Sequence, residues 1–298
     1  MKTTLKTSVV GSYPQTIDTT QIMNTYFSSQ ETSWEPIITQ TVQEMLSAGI
    51  DYVSDGQTRD PIVQLMTRQL SGCRIRARPE IIGPIEYSKG ITVDDQQFVR
   101  SLLLKNKGLV GIITGPFTLT KSCVDLYYHD EKETCFAFAE ALHQEAERLQ
   151  KYVDLISIDE PCFSQEMPDY AAEVIKKITR GIRCPTRLHV CGDVSRIIPQ
   201  LLELPVTILS HEFKASPHLL SAFKKYSCSK QICLGSVRSD DPRVEPVEEI
   251  VAHIKNAVEV FNGHLVQIAP DCGQRYLPKQ VAYQKLKNLA LAGAIING

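Results

Sequence analysis

Tryptophan, dominant charge and long apolar runs are all scarce in this chain. Trp34 is its one tryptophan, and aromatic residues make up only 7% of it. The 32 Lys and Arg residues nearly balance the 34 Asp and Glu residues, giving a formal net charge of −2 with the two signs interleaved. Such a chain has neither the basic footprint of a nucleic-acid binder nor a cationic face for a membrane surface. No stretch approaches the ~20 uncharged apolar residues that cross a bilayer. Residues 1–10 carry Lys2 and Lys6 but no continuous apolar run of the kind found in secretory signals. Low-complexity tracts, long linkers and blocks of like charge are missing too. The expectation is a cytoplasmic protein with one domain over residues 1–298 and a small-molecule or protein partner, with no role for nucleic acid or membrane.

Apolar residues are plentiful, at 43% of 298, which is enough for a large core. The nine cysteines then read as ligands or small core residues in a reducing compartment. Short Val- and Ile-rich runs alternate with longer amphipathic segments, the pattern of repeated βα units. Strands are expected at 7–11, 52–54, 109–114, 155–158, 187–191, 207–210, 231–235 and 265–269. Helices are expected at 36–48, 61–70, 94–105, 131–151, 169–180, 194–202, 217–225 and 247–261, with 278–294 closing the chain. Eight such units make a (β/α)8 TIM barrel of the α/β class, with its active site at the C-terminal strand ends. One piece departs from the repeat: residues 73–91 read as a β-hairpin inserted after the second helix, with its turn at Ile82-Gly83-Pro84.

Reactive residues gather at the expected strand ends. Gly11-Ser12-Tyr13-Pro14 follows strand one, Asp55-Gly56-Gln57 strand two, Gly115-Pro116 strand three and Asp159-Glu160-Pro161 strand four. On strand five, His189 and Cys191 are one residue apart and point to the same face. Alone, that pair reads more readily as packing than as a metal site. Glu212 and Cys272, at the ends of later strands, complete a zinc-type set of one imidazole, two thiolates and a carboxylate. Plainer readings accompany the other motifs: Asp159-Glu160-Pro161 as a cap on the next helix, Gly115-Pro116 as a loop former, Gly11-Ser12 and Gly56 as turns. Cys73, Cys123, Cys135, Cys184, Cys228 and Cys233 read as core filler. His211, by alternation, points away from its neighbour Glu212.

A zinc ion so rich in anionic ligands activates water poorly but suits a thiol, which loses its proton on the metal and stays nucleophilic. The chemistry implied is alkyl transfer to sulfur. Asp159 is placed to pair with a substrate ammonium group, and Ser12 to meet a carboxylate, which together describe an amino-acid thiol.

The motifs taken together resemble the cobalamin-independent methionine synthases, specifically their catalytic C-terminal barrel. The matching pieces are Gly11-Ser12-Tyr13-Pro14-Gln15-Thr16, Asp55-Gly56, Thr114-Gly115-Pro116, Ile158-Asp159-Glu160-Pro161, His189-Val190-Cys191, Glu212 and Pro270-Asp271-Cys272-Gly273. The resemblance implies Zn²⁺ on His189, Cys191, Glu212 and Cys272, taking the homocysteine sulfur. It also implies homocysteine contacts from Gly11, Ser12, Asp159 and Gln57. The chain has the length of the catalytic barrel alone, as in short core forms without the folate-holding N-terminal barrel. Gln57 stands where the family has an acid. The segment Phe117-Thr118-Leu119-Thr120-Lys121-Ser122 lacks the folate-stacking Trp. The loop Arg238-Ser239-Asp240-Asp241-Pro242 lacks the His that protonates the departing folate nitrogen, and Asp240 is the catalytic candidate there, beside Asp159.

These departures point to methylcobalamin or a methylated corrinoid protein as donor, because Co(I) leaves without a proton whereas a tetrahydrofolate nitrogen needs one. Three alternatives stay open: the same reaction with 5-methyltetrahydrofolate, methyl transfer to another thiol such as coenzyme M, and a non-catalytic module that docks on a corrinoid protein. The coenzyme M reading rests on a similar His-x-Cys-Gly strand in barrel methyltransferases related to uroporphyrinogen decarboxylase. The oligomeric state is left open.

Overall fold

The computed structural model describes residues 4–15 and 34–298; Lys2 and Thr16, both drawn on above, lie outside the described residues. In chain order the strands are β1 (Lys6–Thr7), β2 (Tyr52–Val53), β3 (Leu70–Ile75), β4 (Pro79–Tyr87), β5 (Gly108–Thr114), β6 (Val124–Asp125), β7 (Leu155–Asp159), β8 (Thr186–Val190), β9 (Ile208–His211), β10 (Gln231–Val237) and β11 (Leu265–Pro270). The helices are α1 (Glu35–Ser47), α2 (Ile62–Thr67), α3 (Val93–Leu102), α4 (Pro116–Ser122), α5 (Glu131–Leu149), α6 (Ala171–Thr179), α7 (Ile198–Glu203), α8 (His218–Phe223), α9 (Val247–Phe261) and α10 (Lys279–Asn297).

Eight strands pair in parallel in the order β1, β11, β10, β9, β8, β7, β5, β2, and a parallel bridge from Ser8 to Tyr52 joins the two ends. The sheet therefore closes into the expected (β/α)8 barrel. Strands covered on both faces must be apolar throughout, and β5, with Val110, Ile112 and Ile113, is buried at every position. The helices begin where local chemistry favours a start. At α5, Asp130 accepts from Glu133 N at 2.8 Å, with Glu131 and Glu133 in the first turn. Strand β1 is shorter than expected: beyond Thr7 the pairing continues only as the bridge at Ser8, and Gly11, at φ +58°, then bends the chain.

The inserted hairpin is present as β3 and β4, with β6 added in parallel, but its turn is not at Ile82-Gly83-Pro84. The chain reverses at residues 76–78, and Gly83-Pro84 lies inside β4. Pairing jumps from Ser71 opposite Glu86 to Cys73 opposite Ile81, so residues 82–85 bulge and Pro84 breaks no ladder bond. Gly72, at φ +77°, fits the bulge: a Cβ there would sit 2.1 Å from the Pro84 carbonyl oxygen. Gly115-Pro116, expected to shape a loop, instead starts α4, with Pro116 in the first turn, where its missing N–H costs nothing. Among the described residues, no helix is long and apolar enough to cross a membrane.

On α9, His253 is buried and its Nε2 lies 2.9 Å from the Gly235 carbonyl oxygen of β10. Burial holds its pKa down at about 4. The unfolded chain therefore takes up this proton below the usual ~6.5 while the folded chain refuses it until about 4. Stability conferred by the neutral ring is complete above that window and falls as pH drops through it, by up to about 3 kcal/mol. His253→Gln keeps a donor toward Gly235 and removes the titration. Its melting temperature should fall less steeply than wild type between pH 6.5 and 4.5, and equal slopes would refute the assignment.

Candidate active site

Parallel register sets the site. β7 and β8 pair so that Ser157 lies opposite Arg187 and Asp159 opposite His189; β8 and β9 place His189 opposite Ser210. The C-terminal strand ends share one rim and open into a cavity of about 440 Å³. All nine residues expected from sequence line it: Gly11, Ser12, Gln57, Asp159, His189, Cys191, Glu212, Asp240 and Cys272.

Three of the four expected ligands form a tight donor cluster. The donor atoms of His189, Cys191 and Cys272 all lie within 4.8 Å of one another. His189 Nε2 is 3.1 Å from Cys191 Sγ, and Cys191 Sγ is 2.8 Å from Cys272 Sγ. The other ring nitrogen of His189 meets Ser210 Oγ at 3.1 Å, which orients the ring with Nε2 toward the sulfurs. Burial keeps the imidazole neutral, as a ligand must be, while the Cys272 sulfur and then burial push the Cys191 thiol well above its usual range. Two thiolates at this spacing need a cation beside them, and one imidazole with two sulfurs is a donor set that zinc accepts. The residues thus fit a zinc ion. Glu212 stands beside the cluster rather than in it: its Oε2 accepts from Gly192 N at 2.9 Å.

Asp159 is deeply buried at the pocket wall, accepts from Ser157 Oγ at 2.9 Å, and is raised by burial to about 6 against the pull of Arg187. Glu160 faces elsewhere. Its carboxylate accepts from Phe117 N at 2.9 Å, Thr118 N at 2.8 Å and Thr118 Oγ1 at 2.6 Å. It therefore caps α4, a helix 43 residues upstream, rather than the helix that follows it. His211 points away from the cavity as expected, with Nδ1 3.2 Å from the Val190 carbonyl oxygen and its ring against Phe213 and Phe223.

The loops around the rim hold one another. A Cβ on Gly273 would come within 2.9 Å of Ser12 N and Oγ, so only glycine allows this approach. Gln274 N donates to Ser12 O at 2.6 Å, and Tyr13 N to Gly56 O at 3.0 Å. Gln57, left-handed at φ +47°, is 1% exposed, and neither atom of its amide has a partner among the described residues. A buried amide left unpaired at a cavity wall is suited to a polar group of a ligand. Asp240 stands on the rim in a two-pronged pair with Arg238, at 2.9 and 2.8 Å. That guanidinium holds its carboxyl below the usual range, so it is ionised at neutral pH.

Two lining residues, Arg275 and Tyr276, escaped sequence reasoning, and two more, Ser239 and Asp271, were named there only as parts of motifs, without a role. Ser239 Oγ donates to Cys272 O at 2.7 Å and accepts from Cys272 N at 3.0 Å, clamping the backbone of a cluster residue. Its loop is anchored from below by the fully buried pair Lys285–Glu245 at 2.8 Å, whose carboxylate also accepts from Arg238 N. Asp271 accepts from Lys214 N and Ala215 N, fixing the loop after β9 that begins with Glu212. Arg275 donates to the carbonyl oxygens of Gln57 and Asp60. For Arg275 and Tyr276 the one sequence signal was position, in a loop that follows a barrel strand.

Removing the Glu160 carboxylate strands two buried N–H groups at the start of α4. Glu160→Ala should cost about 3 kcal/mol in urea unfolding, and Glu160→Gln, which keeps one acceptor oxygen, less. Equal midpoints for Glu160→Ala and wild type would contradict this capping role.

Comparison with known proteins agrees with this geometry. Residues 5–294 match the family model described as the catalytic domain of the cobalamin-independent synthase. The methionine synthase of Methanocaldococcus jannaschii is 34% identical over 97% of this chain and 99% of its own length. That of Sulfolobus acidocaldarius is 27% identical over 99% of this chain and 93% of its own. The structure of a B12-independent methionine synthase from Shewanella sp. W3-18-1, in complex with selenomethionine, superposes with a TM-score of 0.83 at 23% identity, covering 98% and 97% of the two chains. At that identity the superposition speaks for the fold alone. The family match and the full-length archaeal relatives carry the conclusion that this chain is a methyltransferase belonging to the cobalamin-independent methionine synthase family.

Proposed function

We propose that this enzyme transfers a methyl group to the thiol of homocysteine, giving methionine, with methylcobalamin or a methylated corrinoid protein as donor. The carrying observation is the His189, Cys191 and Cys272 cluster in the same pocket as the buried Asp159 and the unpaired amide of Gln57. A zinc ion would be held by His189, Cys191 and Cys272, with Glu212 beside them in the same pocket, and would supply thiol activation at neutral pH. Asp159 receives the substrate ammonium, Gln57 presents a neutral amide beside it, and the Gly11-Ser12 turn receives the carboxylate.

Support for the donor comes from what the pocket wall offers. None of its described lining residues is a Trp, and Trp34 lies instead in a separate cavity with Arg59. Asp240, ionised by Arg238, has no proton to give to a departing nitrogen. In the transfer, the sulfur lone pair takes the methyl carbon and the cobalt–carbon electron pair leaves on Co(I), so the leaving group needs no proton. Arg275 favours a second reading, since its guanidinium suits an acid-tailed thiol such as coenzyme M; Asp159 opposes a sulfonate.

Two measurements check this reading. Zinc-loaded protein with homocysteine should turn over with methylcobalamin; turnover with 5-methyltetrahydrofolate alone would sink the donor assignment, and preference for coenzyme M would reverse the choice of thiol. Metal analysis should find Cys272→Ser depleted of zinc, with affinity down by at least about 100-fold, and Glu212→Gln near wild type. Equal zinc in wild type and Cys272→Ser would break the assembled site.

A further inference from the structure

Arg187 is fully buried in the middle of the barrel, yet among the described residues its hydrogen bonds all go to neutral groups. Nε donates to Ser157 Oγ at 3.2 Å, Nη1 to Ser8 Oγ at 3.0 Å and Nη2 to Val9 O at 2.9 Å. Nη1 also reaches Gln267 Oε1 at 3.5 Å and Cys233 Sγ at 3.7 Å. Burying a guanidinium without a carboxylate partner costs several kcal/mol, and a barrel interior is ordinarily filled by layers of branched apolar side chains. The stability of the barrel alone does not explain such a residue.

Its position does. Arg187 and His189 share the inward face of β8, one layer apart, and register puts Ser157 beside the arginine and Asp159 beside the histidine. The Ser157 hydroxyl accepts from Arg187, so its single hydrogen is directed to Asp159 Oδ1 at 2.9 Å. The other end of the guanidinium holds Ser8 and Val9, which lead directly into Gly11-Ser12. One buried cation thus lies under both walls of the pocket that would grip an amino acid.

We propose that Arg187 is a positioning residue: through Ser157 it fixes the Asp159 carboxylate to receive the substrate ammonium, and through Ser8 and Val9 it sets the Gly11-Ser12 turn opposite. This rests on the amino-acid thiol reading above. A barrel staple would matter for stability but would be indifferent to whether the thiol carries an ammonium group.

The test compares homocysteine with 4-sulfanylbutanoate, which lacks only the amino group, on zinc-loaded wild type, Ser157→Ala and Arg187→Lys. Binding is read by calorimetry and turnover by KM and kcat, with thermal melting as the check on folding. A hydrogen bond to a charged group corresponds to roughly tenfold in affinity. Ser157→Ala should therefore raise KM and Kd for homocysteine about tenfold, hold kcat within about twofold and leave 4-sulfanylbutanoate unmoved, whereas Arg187→Lys, which also loosens the turn that meets the carboxylate, should weaken both thiols but homocysteine the more. If Arg187→Lys, which loses the fixed Nε–H, fails to fold, Ser157→Ala decides alone. Variants that retain the wild-type preference for homocysteine, or that weaken both thiols equally, overturn the role of Arg187 and leave the substrate reading intact. A wild type that binds the two thiols equally overturns the substrate reading, and this proposal with it.

Discussion

The in-register parallel pairing of β7 with β8 is the constraint on which the site depends. It stacks Asp159 beside His189 and Ser157 beside Arg187, all on the inward face. A slip of either strand by one residue would turn that strand's two groups outward and part them from their partners. Closure of the barrel then decides what else reaches them. β9 delivers Ser210 to His189, and β11 ends one residue short of Asp271-Cys272, so the second sulfur arrives from three strands away in the sheet order.

A donor cluster built on strand ends and loops is only as exact as the loops. Here they brace each other with backbone and short side-chain contacts: Gly273 against Ser12, Tyr13 on Gly56, Ser239 on Cys272, Asp271 on Lys214 and Ala215. The polar group left without a partner in the pocket wall, the amide of Gln57, is one a ligand can satisfy. The same logic separates Asp159 from Glu160. Both are buried carboxyls, but Glu160 accepts three hydrogen bonds from α4 and is structural, whereas Asp159 keeps a face on the cavity.

The barrel was legible because its strands and helices carry different hydrophobic periods, and the cluster was legible because His189, Cys191 and Cys272 are out of place among apolar strand ends. Features set by tertiary context were not. Gly83-Pro84 has the composition of a turn, and only the pairing jump at Gly72 makes it a bulge. Glu160 sits where a local cap is expected but serves a helix far away in sequence. The hydrogen bond that Glu212 accepts from Gly192 N could not be read from its place in the chain. Ser239 and Arg275 belong to loops, which have no period to read. Arg187 is the sharpest case, since a charged residue in a strand ordinarily marks an outward face, and its layer under Asp159 emerges only from register.

The central claim is that His189, Cys191 and Cys272 hold a zinc ion whose remaining coordination is open to the thiol of homocysteine. X-ray absorption at the zinc edge, on purified zinc-loaded protein with and without homocysteine, tests it directly. The account predicts a first shell with two sulfurs that gains a third when homocysteine is added. A shell that contains two sulfurs in both samples, or none in either, would contradict it.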